Sequence, residues 1–284
     1  MKVSIITVTL NSEKYLSDCI ESVRRQSFKN IEHIIIDGKS KDGTIKIIQD
    51  NSQYLTHWIS ETDRGMYDAI NKGIELATGD IIGVLNSDDM LASENVISNI
   101  AHCFQNTKTD SVYGDLAYVD PCNTQKITRF WKGVSYKRYR FNYGWMPAHP
   151  TFYMRRGLIK QYGLYENHYY TAADYEFMAR YLYKHKISAT YLEQMVVKMR
   201  SGGISNGNIW RRLRANRRDY LAMKKNQIPF SFFVSILKPI SKIHQYKNLI
   251  RKQVANRFPK HFKSAVSYFP EEGKQVSAHA EFFQ

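Results

Sequence analysis

An apolar run that ends in two adjacent carboxylates, at residues 81–89, constrains this chain more than any other feature. Residues 81–85 have the length and composition of a buried strand, and Asp88 and Asp89 follow almost at once. No basic residue is adjacent to the two acids in the sequence, so this position favours the binding of a cation. Strand ends of open α/β sheets bind ligands, and hard divalent metals take carboxylate oxygens while keeping positions open for phosphate. A solvated turn or a helix cap is the alternative that this motif alone leaves open.

Earlier segments repeat the same arrangement of strand, short loop and helix. The strand-like runs are residues 3–10, 31–36 and 57–60. Repeated βα units predict a parallel sheet with right-handed crossovers, in which all strand ends lie along one edge. Asp37 and Asp63 follow the second and third runs. We therefore expect both to share one crevice with Asp88 and Asp89.

Four ordered motifs within residues 1–205 resemble those of the inverting family 2 glycosyltransferases. The motifs occupy residues 7–11, 36–44, 63–73 and 86–89. This resemblance implies an α/β chain with the GT-A fold, a Rossmann-like, mostly parallel sheet flanked by helices. It also implies a hexosyl- or N-acetylhexosaminyltransferase like those that build bacterial capsule, exopolysaccharide or O-antigen units. Such an enzyme moves a sugar with inversion from a nucleotide-sugar, here expected to be a UDP-sugar, to a lipid-linked or oligosaccharide acceptor.

The resemblance also assigns the donor site residue by residue. Asp37 is expected to read uracil, and Asp88 and Asp89 to hold the ribose and a Mn²⁺ or Mg²⁺ ion. The other residues implied to contact the nucleotide-sugar are Thr7, Thr9, Asn11, Asp63, Gly65, Asp68, Asn71, Lys72, Ser87 and Arg200.

The expected chemistry explains why acids and bases stand at these positions. A departing diphosphate gains negative charge, so a metal held by carboxylates is a natural electrophile. Asn86 stands where many relatives have an acid, which leaves open which carboxylate is the principal ligand. Lys39 replaces a common small residue. It either adds positive charge near the diphosphate or is an ordinary exposed loop lysine.

An inverting transfer also needs a base that takes the proton of the acceptor hydroxyl. Asp174, at the predicted start of a helix, matches the second acid of the family's acid-acid motif, and Ala173 replaces the first. The alternative is a helix N-terminal acid favoured by the helix dipole. Trp145 and His149 belong to an aromatic segment that resembles the acceptor side, where Ala173 is also placed. His149 also fits a structural role, because it stands between two prolines.

The segment at residues 198–206 resembles the flexible loop that closes over the diphosphate in this family. Many relatives carry a histidine metal ligand near Arg200, and this sequence has none there. Arg200 is therefore expected to pair with the diphosphate, which would weaken the dependence on metal or shift the metal's coordination to phosphate and water.

Composition predicts a cytoplasmic α/β protein with a basic appendage. The 284 residues are 43% hydrophobic, enough to bury a full core, and the three cysteines have no metal-binding spacing. The first residues lead into a strand rather than a signal peptide, and no run has the length of a membrane span. We predict a catalytic domain at residues 1–205 and a mostly helical basic extension at residues 206–284.

The basic extension predicts contact with the inner face of the cytoplasmic membrane. Residues 201–284 hold 16 Lys+Arg against 4 Asp+Glu, which is +12 of the total net charge of +15. An apolar run at residues 228–237 lies among these charges, and this combination suits an anionic lipid surface. The alternative is a C-terminal helix that packs on the catalytic domain with a solvated basic face.

Other protein classes fit the sequence less well. A sugar nucleotidyltransferase would show a glycine- and arginine-rich loop for a triphosphate, and residues 7–14 have neither. We expect no nucleic-acid partner, because acidic strand ends repel phosphate unless they hold a metal and no standard binding motif is visible. A dinucleotide-dependent dehydrogenase would carry the motif G-x-G-x-x-G after the first strand, and this sequence has no such motif there. A non-catalytic relative that binds nucleotide-sugars stays open, given Asn86, Ala173 and Arg200.

Overall fold

Alternating strands and helices run along the chain in the computed structural model, which describes residues 1–202, 209–232 and 234. The strands are β1 (Val3–Thr9), β2 (Ile31–Asp37), β3 (His57–Ser60), β4 (Ile81–Val84), β5 (Met90–Leu91), β6 (Ser111–Val119), β7 (Ile127–Trp131), β8 (Tyr153–Arg155) and β9 (Ala189–Arg200). The α-helices are α1 (Leu16–Arg24), α2 (Thr44–Asp50), α3 (Met66–Leu76), α4 (Val96–Thr107), α5 (Gly157–Tyr162), α6 (Ala173–Met178) and α7 (Ile209–Lys225). Short 3-10 segments span Ser52–Tyr54, Arg138–Tyr143, His149–Thr151 and Asn167–Ala172, and a π-helical turn, Ala179–Lys184, continues α6.

Within the described residues the strands form one sheet in the order β3-β2-β1-β4-β8-β6-β9-β5, with β7 beside β6. The first four strands are parallel, and β8 runs antiparallel to both β4 and β6. In register, Thr9 pairs with Asp37 and Asp37 with Ser60, so the ends of β1, β2 and β3 meet at one edge. The predicted α/β class is confirmed, and so is the shared edge of strand ends.

The central strands are buried on both faces, which is why they read as continuous apolar runs in the sequence. Every residue of β1 is buried. Helix α3 packs on one face of the sheet through an apolar stripe that includes Ile70 and Ile74, and α1 and α4 cover the other face. Gly83 in β4 is required by this packing, because a Cβ atom there would lie 2.2 Å from the ring of Tyr153 in β8.

Helix α7, the beginning of the predicted basic extension, packs against α6. Ala222 and Met223 have no exposed surface, and the buried Asn226 donates to the Glu176 carboxylate at 3.3 Å. Lys225 forms ion pairs with Glu176 and Glu166. The far part of the predicted diphosphate loop and the basic residues beyond 234 lie outside the described residues. Among the helices that are described, none is long and apolar enough to cross a bilayer.

A buried carboxylate fastens the end of the sheet opposite to the strand-end edge. Glu32 in β2 is 1% exposed and accepts hydrogen bonds from Lys2 Nζ at 2.8 Å and from the Thr78 backbone N–H at 2.8 Å. Burial alone would raise the pKa of Glu32, but the hydrogen bonds from Lys2, Ser4 and Thr78 outweigh it and lower the pKa to about 2. The charged form of Glu32 therefore stabilises the fold.

Replacing Glu32 with glutamine is expected to lower the free energy of unfolding by about 2 kcal/mol at pH 7, because the neutral amide leaves Lys2 unpaired. The pKa is lower in the folded protein than the usual 4.5, so this stabilisation is present above about pH 4.5. It is lost as the pH falls towards 2. Urea unfolding of both proteins across this range measures it. Glu193→Gln, which removes an exposed pair with Lys132, is the control and should change stability by less than about 0.5 kcal/mol.

Candidate active site

Three buried polar atoms without a hydrogen-bond partner lie at the strand-end edge of the sheet, among the residues that the structure describes. They are Thr9 Oγ1 at the end of β1, Asp89 Oδ1 in the turn after β4, and Arg200 Nε at the end of β9. An unpaired buried polar atom costs roughly 1–3 kcal/mol, so such groups are normally satisfied. Their shared location marks this edge as a place for a polar ligand.

The predicted metal pair, Asp88 and Asp89, lies in the turn after β4. Asp89 is fully buried and its Oδ2 accepts a hydrogen bond from Asn86 Nδ2 at 2.9 Å, whereas Asp88 is half-buried. Burial raises the pKa of both carboxyls, and the charge of Asp88 raises that of Asp89 further. Two adjacent acids of this kind favour a cation.

A divalent metal would find few protein ligands at this position. Among the described residues, no cluster of three or more His, Cys, Asp or Glu side chains could hold a metal ion. Asp88 and Asp89 fit a hard cation such as Mn²⁺ or Mg²⁺, because Asp89 Oδ1 is an oxygen without a partner. The remaining positions of the metal would have to be filled by water and by the oxygens of a bound diphosphate.

The guanidinium of Arg200 supplies positive charge directly beside the two acids. Its Nη1 donates to the backbone carbonyl of Asp88 at 2.8 Å, and its Nη2 pairs with the carboxylate of Asp18 in α1. The guanidinium also lies over the ring of Tyr15, 4.4 Å from the centroid. Arg200 is only 4% exposed, so α1 fixes the position of this charge.

Asp37, the predicted reader of the nucleobase, is fully buried at the end of β2. Its carboxylate accepts hydrogen bonds from the Ser40 backbone N–H at 3.0 Å, from Ser40 Oγ, and from Ser60 Oγ at 2.6 Å. The carboxylate therefore braces the loop after β2. Asp63 is more accessible to solvent than Asp37, because its side chain is partly exposed. It lies beside Gly38 in the loop after β2. A Cβ atom at Gly38 would lie 2.6 Å from Asp63 Oδ2, so a larger residue there would displace the side chain of Asp63.

The loops after β1 and β2 support each other beside this edge. The backbone of Asn11 has a φ of 50°, and its Oδ1 accepts from the Lys41 N–H at 2.9 Å. Ser12 Oγ lies 2.8 Å from Ser87 Oγ, which joins the β1 loop to the turn that carries the two acids. The structure thus brings Thr9, Asn11 and Ser87 to the edge, and their contacts with a nucleotide-sugar stay predictions.

Three predicted contact residues already have contacts within the protein, and their contacts with donor or acceptor stay predictions. Thr7 is fully buried, with its Oγ1 3.1 Å from His33 Nε2. The amide of Asn71 makes hydrogen bonds of 2.9 Å with both the backbone N–H and the backbone carbonyl of Tyr165. Ala173 has no exposed surface.

The segment before and within α3 is braced by ion pairs. Asp68 accepts from the backbone N–H and the guanidinium of Arg64, and Lys72 pairs with Glu61 at 2.7 Å. Gly65 has a φ of 113°, which glycine adopts readily and other residues rarely do. These residues shape the loop that carries Asp63.

Asp174 lies in the first turn of α6, where its side chain is 17% exposed. Its Oδ2 lies 3.3 Å from His149 Nδ1, and its Oδ1 accepts from the Tyr175 N–H at 2.7 Å. Burial, and then the charge of Asp174, raise the pKa of Tyr67 well above its usual range, so that phenol stays protonated. Trp145, four residues before His149 in the sequence, is half-buried. Its ring packs edge-on against that of Phe141, with the ring centroids 5.6 Å apart.

Comparison with known protein families agrees with this geometry. The family model described as "Glycosyl transferase family 2" matches residues 4–163, which is more than half of the chain. The chain is a family 2 glycosyltransferase. As a member of this family it is a sugar-transferring enzyme of the EC 2.4 class, as the resemblance predicts.

Individual relatives of this transferase agree with the assignment. A "PGL/p-HBAD biosynthesis glycosyltransferase" of Mycobacterium bovis (strain BCG / Pasteur 1173P2) is 30% identical over 208 residues, which cover 72% of this chain and 78% of the relative. The crystal structure of S. aureus TarS in complex with UDP superposes with a TM-score of 0.60 at 18% identity. It covers 79% of this chain, and this chain spans 65% of that structure.

A mannosyltransferase from Pyrobaculum calidifontis, in complex with GDP-Man and Mn²⁺, also has this fold. Its TM-score is 0.58 at 14% identity, over 94% of this chain and 83% of that one. At such identities both structures support the fold alone, and they confirm the predicted GT-A architecture.

The sequence analysis did not identify several residues of the transferase that hold other site residues in position. Asp18 and Tyr15 position Arg200, and Ser40 and Ser60 hold Asp37. The spacing of Tyr15 and Asp18 could have indicated their shared role. The two residues are three positions apart at the start of α1, so their side chains lie on the same side of the helix.

Proposed function

We propose that the protein transfers a sugar with inversion from a UDP-sugar to a lipid-linked glycan during the synthesis of a bacterial surface polysaccharide. The observation that best supports this proposal is the set of unpartnered polar atoms of Thr9, Asp89 and Arg200 at the strand-end edge. A nucleotide diphosphate offers both an acceptor for Arg200 Nε and the metal-binding oxygens that complete a site on Asp89.

The nucleobase of the donor is placed against the loops after β1 and β2. Leu10 is 58% exposed there and lies beside Gly38, so it offers an apolar surface for a flat ring. Asp63 is positioned to accept the ring N–H, while Asp37 keeps the loop in place. TarS has been crystallised with UDP and with UDP-GlcNAc, which favours a UDP-sugar.

The diphosphate of the donor is expected to lie beside the pair Asp88 and Asp89, within reach of the unpaired Nε of Arg200. The fixed guanidinium of Arg200 meets the negative charge that develops on the departing diphosphate. A Mn²⁺ or Mg²⁺ ion bound to the two aspartates would supply further positive charge to the same oxygens. Asp18 and Tyr15 hold Arg200 in position, so this charge needs no rearrangement before the reaction.

The acceptor hydroxyl is placed beside Asp174. The carboxylate takes the hydroxyl proton while the oxygen bonds to the anomeric carbon, and the bond from that carbon to the diphosphate oxygen breaks on the opposite face. This single displacement inverts the anomeric configuration. His149, 3.3 Å from Asp174 Oδ2, orients the carboxylate towards the acceptor.

Replacing His149 with alanine is expected to lower the turnover number about 10- to 100-fold with little change in donor KM, because the carboxylate of Asp174 loses its orientation. Asparagine places an N–H group close to the position of Nδ1, so His149→Asn should recover most of the activity. Steady-state release of nucleotide measures both variants. His57→Ala, on the exposed start of β3, is the control. Equal activities of His149→Ala and the wild type would contradict this role.

A panel of UDP-, GDP- and dTDP-sugars tests the proposed function. Each donor is added to the purified protein with Mn²⁺, Mg²⁺ or EDTA, and both the melting temperature and the released nucleotide are measured. We expect stabilisation and metal-dependent release with one UDP-sugar. Stabilisation without release, also when a polyprenyl-diphosphate glycan is present, would instead indicate a non-catalytic relative, which the neutral Asn86 and Ala173 favour. The absence of both effects would contradict the proposal.

The charge of the chain supports a lipid-linked acceptor and action at the membrane surface. An acceptor carried on a polyprenyl diphosphate stays at the membrane, so an enzyme that uses it gains from binding the anionic inner face of the cytoplasmic membrane. The concentration of basic residues after residue 200 supports such peripheral contact.

A further inference from the structure

We infer that the outer surface of α7 and the turn that follows it bind an anionic phospholipid bilayer. The inference rests on the proposed membrane contact, and it does not depend on the role of Asp174. We call this surface the α7 face and define it by Arg217, Leu221, Lys224, Phe230 and Phe232.

The apolar run after α7 is divided between the core and the solvent. Ile228 and Val234 are each 3% exposed and belong to the core. Phe230 and Phe232 are 78% and 60% exposed, and Phe230 is the most exposed large hydrophobic side chain among the described residues. The two phenylalanine side chains thus stay largely exposed, although Ile228 before them and Val234 after them are buried. Exposed aromatic clusters of this kind mark interaction sites.

The exposed face of α7 continues this apolar surface and adds positive charge. Arg217, Leu221 and Lys224 are four and three residues apart, so they share one side of the helix, and all three are exposed. Phe232 lies against this helix, with its ring 6.4 Å from that of Tyr220. The side chains of Ala222, Met223 and Asn226 face the core instead.

The backbone holds Phe230 outward. Its φ is 54°, in the left-handed region that a bulky side chain rarely adopts. The Ser231 hydroxyl donates to the Ile228 carbonyl at 2.6 Å, and the Val234 N–H donates to the Phe230 carbonyl at 3.1 Å. The turn is thus hydrogen-bonded around a projecting phenylalanine.

Charge selects an anionic lipid surface as the occupant. Helix α7 carries seven basic residues and one acidic residue in sequence. Lys225 is already paired with Glu166 and Glu176 on the inner side. Exposed aromatic side chains enter the boundary between headgroups and acyl chains, while arginine and lysine meet the lipid phosphates. A protein partner has no comparable support among the described residues.

The α7 face adjoins the segment that carries the proposed base. The guanidinium of Arg218 lies over the ring of Tyr170, 4.2 Å from the centroid, four residues before Asp174. Bilayer contact through the α7 face would bring this segment close to an acceptor held in the membrane.

Vesicle sedimentation of the full-length protein tests the inference. The vesicles are pure phosphatidylcholine or phosphatidylcholine with 30% phosphatidylglycerol, at about 50 and 500 mM salt. We expect the wild type to bind the anionic vesicles, and to bind them less at high salt. Phe230→Ser with Phe232→Ser should weaken this binding about tenfold or more, and Arg217→Gln with Lys224→Gln should weaken it about fivefold per charge at low salt.

A matched double variant, Leu76→Ser with Ile127→Ser, removes two exposed apolar side chains elsewhere and should bind like the wild type. Donor-induced thermal stabilisation confirms that each variant is folded and tests the donor site separately. Undiminished binding by the phenylalanine variant would overturn the assignment of the α7 face as the lipid-binding surface, and it would leave the proposed sugar transfer unaffected. Equal binding to neutral vesicles, or no binding by the wild type, would overturn the choice of an anionic bilayer.

Discussion

Replacing Asp174 with asparagine is expected to lower the turnover number about a thousandfold while the donor affinity stays within twofold of the wild type. A positioned general base contributes about 10² to 10⁴ in rate, and the amide cannot take the acceptor proton. The shape of the side chain is preserved, so the Tyr175 N–H can still donate to it. The rate of nucleotide release and a calorimetric titration with the donor measure the two effects separately.

Asp50→Asn is the control for this variant, because Asp50 is exposed on α2 and pairs with Lys46. It should leave both rate and affinity unchanged. A turnover number of Asp174→Asn within threefold of the wild type would show that Asp174 is only a helix N-terminal acid.

Replacing Asp89 with asparagine is expected to weaken donor binding at least tenfold in the presence of Mn²⁺ or Mg²⁺. The same change should stabilise the ligand-free protein by about 1 kcal/mol, because it removes a buried carboxylate charge that lies beside Asp88. For a protein of this size the melting temperature should rise by about 2–4 °C in EDTA. Loss of function with a gain in stability distinguishes a ligand site from a structural acid.

Asp88→Asn is the matched variant. Asp88 is half-buried, so its replacement should weaken donor binding without a comparable gain in stability. A destabilised Asp89→Asn protein, or one with unchanged donor affinity, would contradict the proposed role of the pair.

The parallel part of the fold could be predicted closely from the sequence. Strand β3 begins and ends at the predicted residues 57 and 60, and β1, β2 and β4 differ from prediction by a residue or so at their ends. Buried parallel strands are continuous apolar runs, and glycines and acids punctuate them here. The positions of Asp37, Asp63, Asp88 and Asp89 at one edge then follow from topology alone.

The hydrogen bonds and ion pairs of each side chain at the edge could not be predicted in this way, because they depend on partners that are distant in the sequence. Asp37 is satisfied by Ser60 from the next strand, Asn71 by the backbone of Tyr165, and Arg200 by Asp18 from α1. Patterns of hydrophobicity report only on neighbours in the chain. The apolar run at residues 228–237 illustrates the same limit, since Ile228 and Val234 are buried in the core whereas Phe230 and Phe232 between them are exposed.

The most direct test of the proposed site is a side-by-side titration of one UDP-sugar into the wild type, Asp89→Asn and Asp174→Asn, with nucleotide release followed in the same samples. We expect full donor affinity without turnover for Asp174→Asn, and at least tenfold weaker affinity for Asp89→Asn. An equal loss of donor affinity in the two variants would contradict the division of the site into a donor edge and an acceptor base.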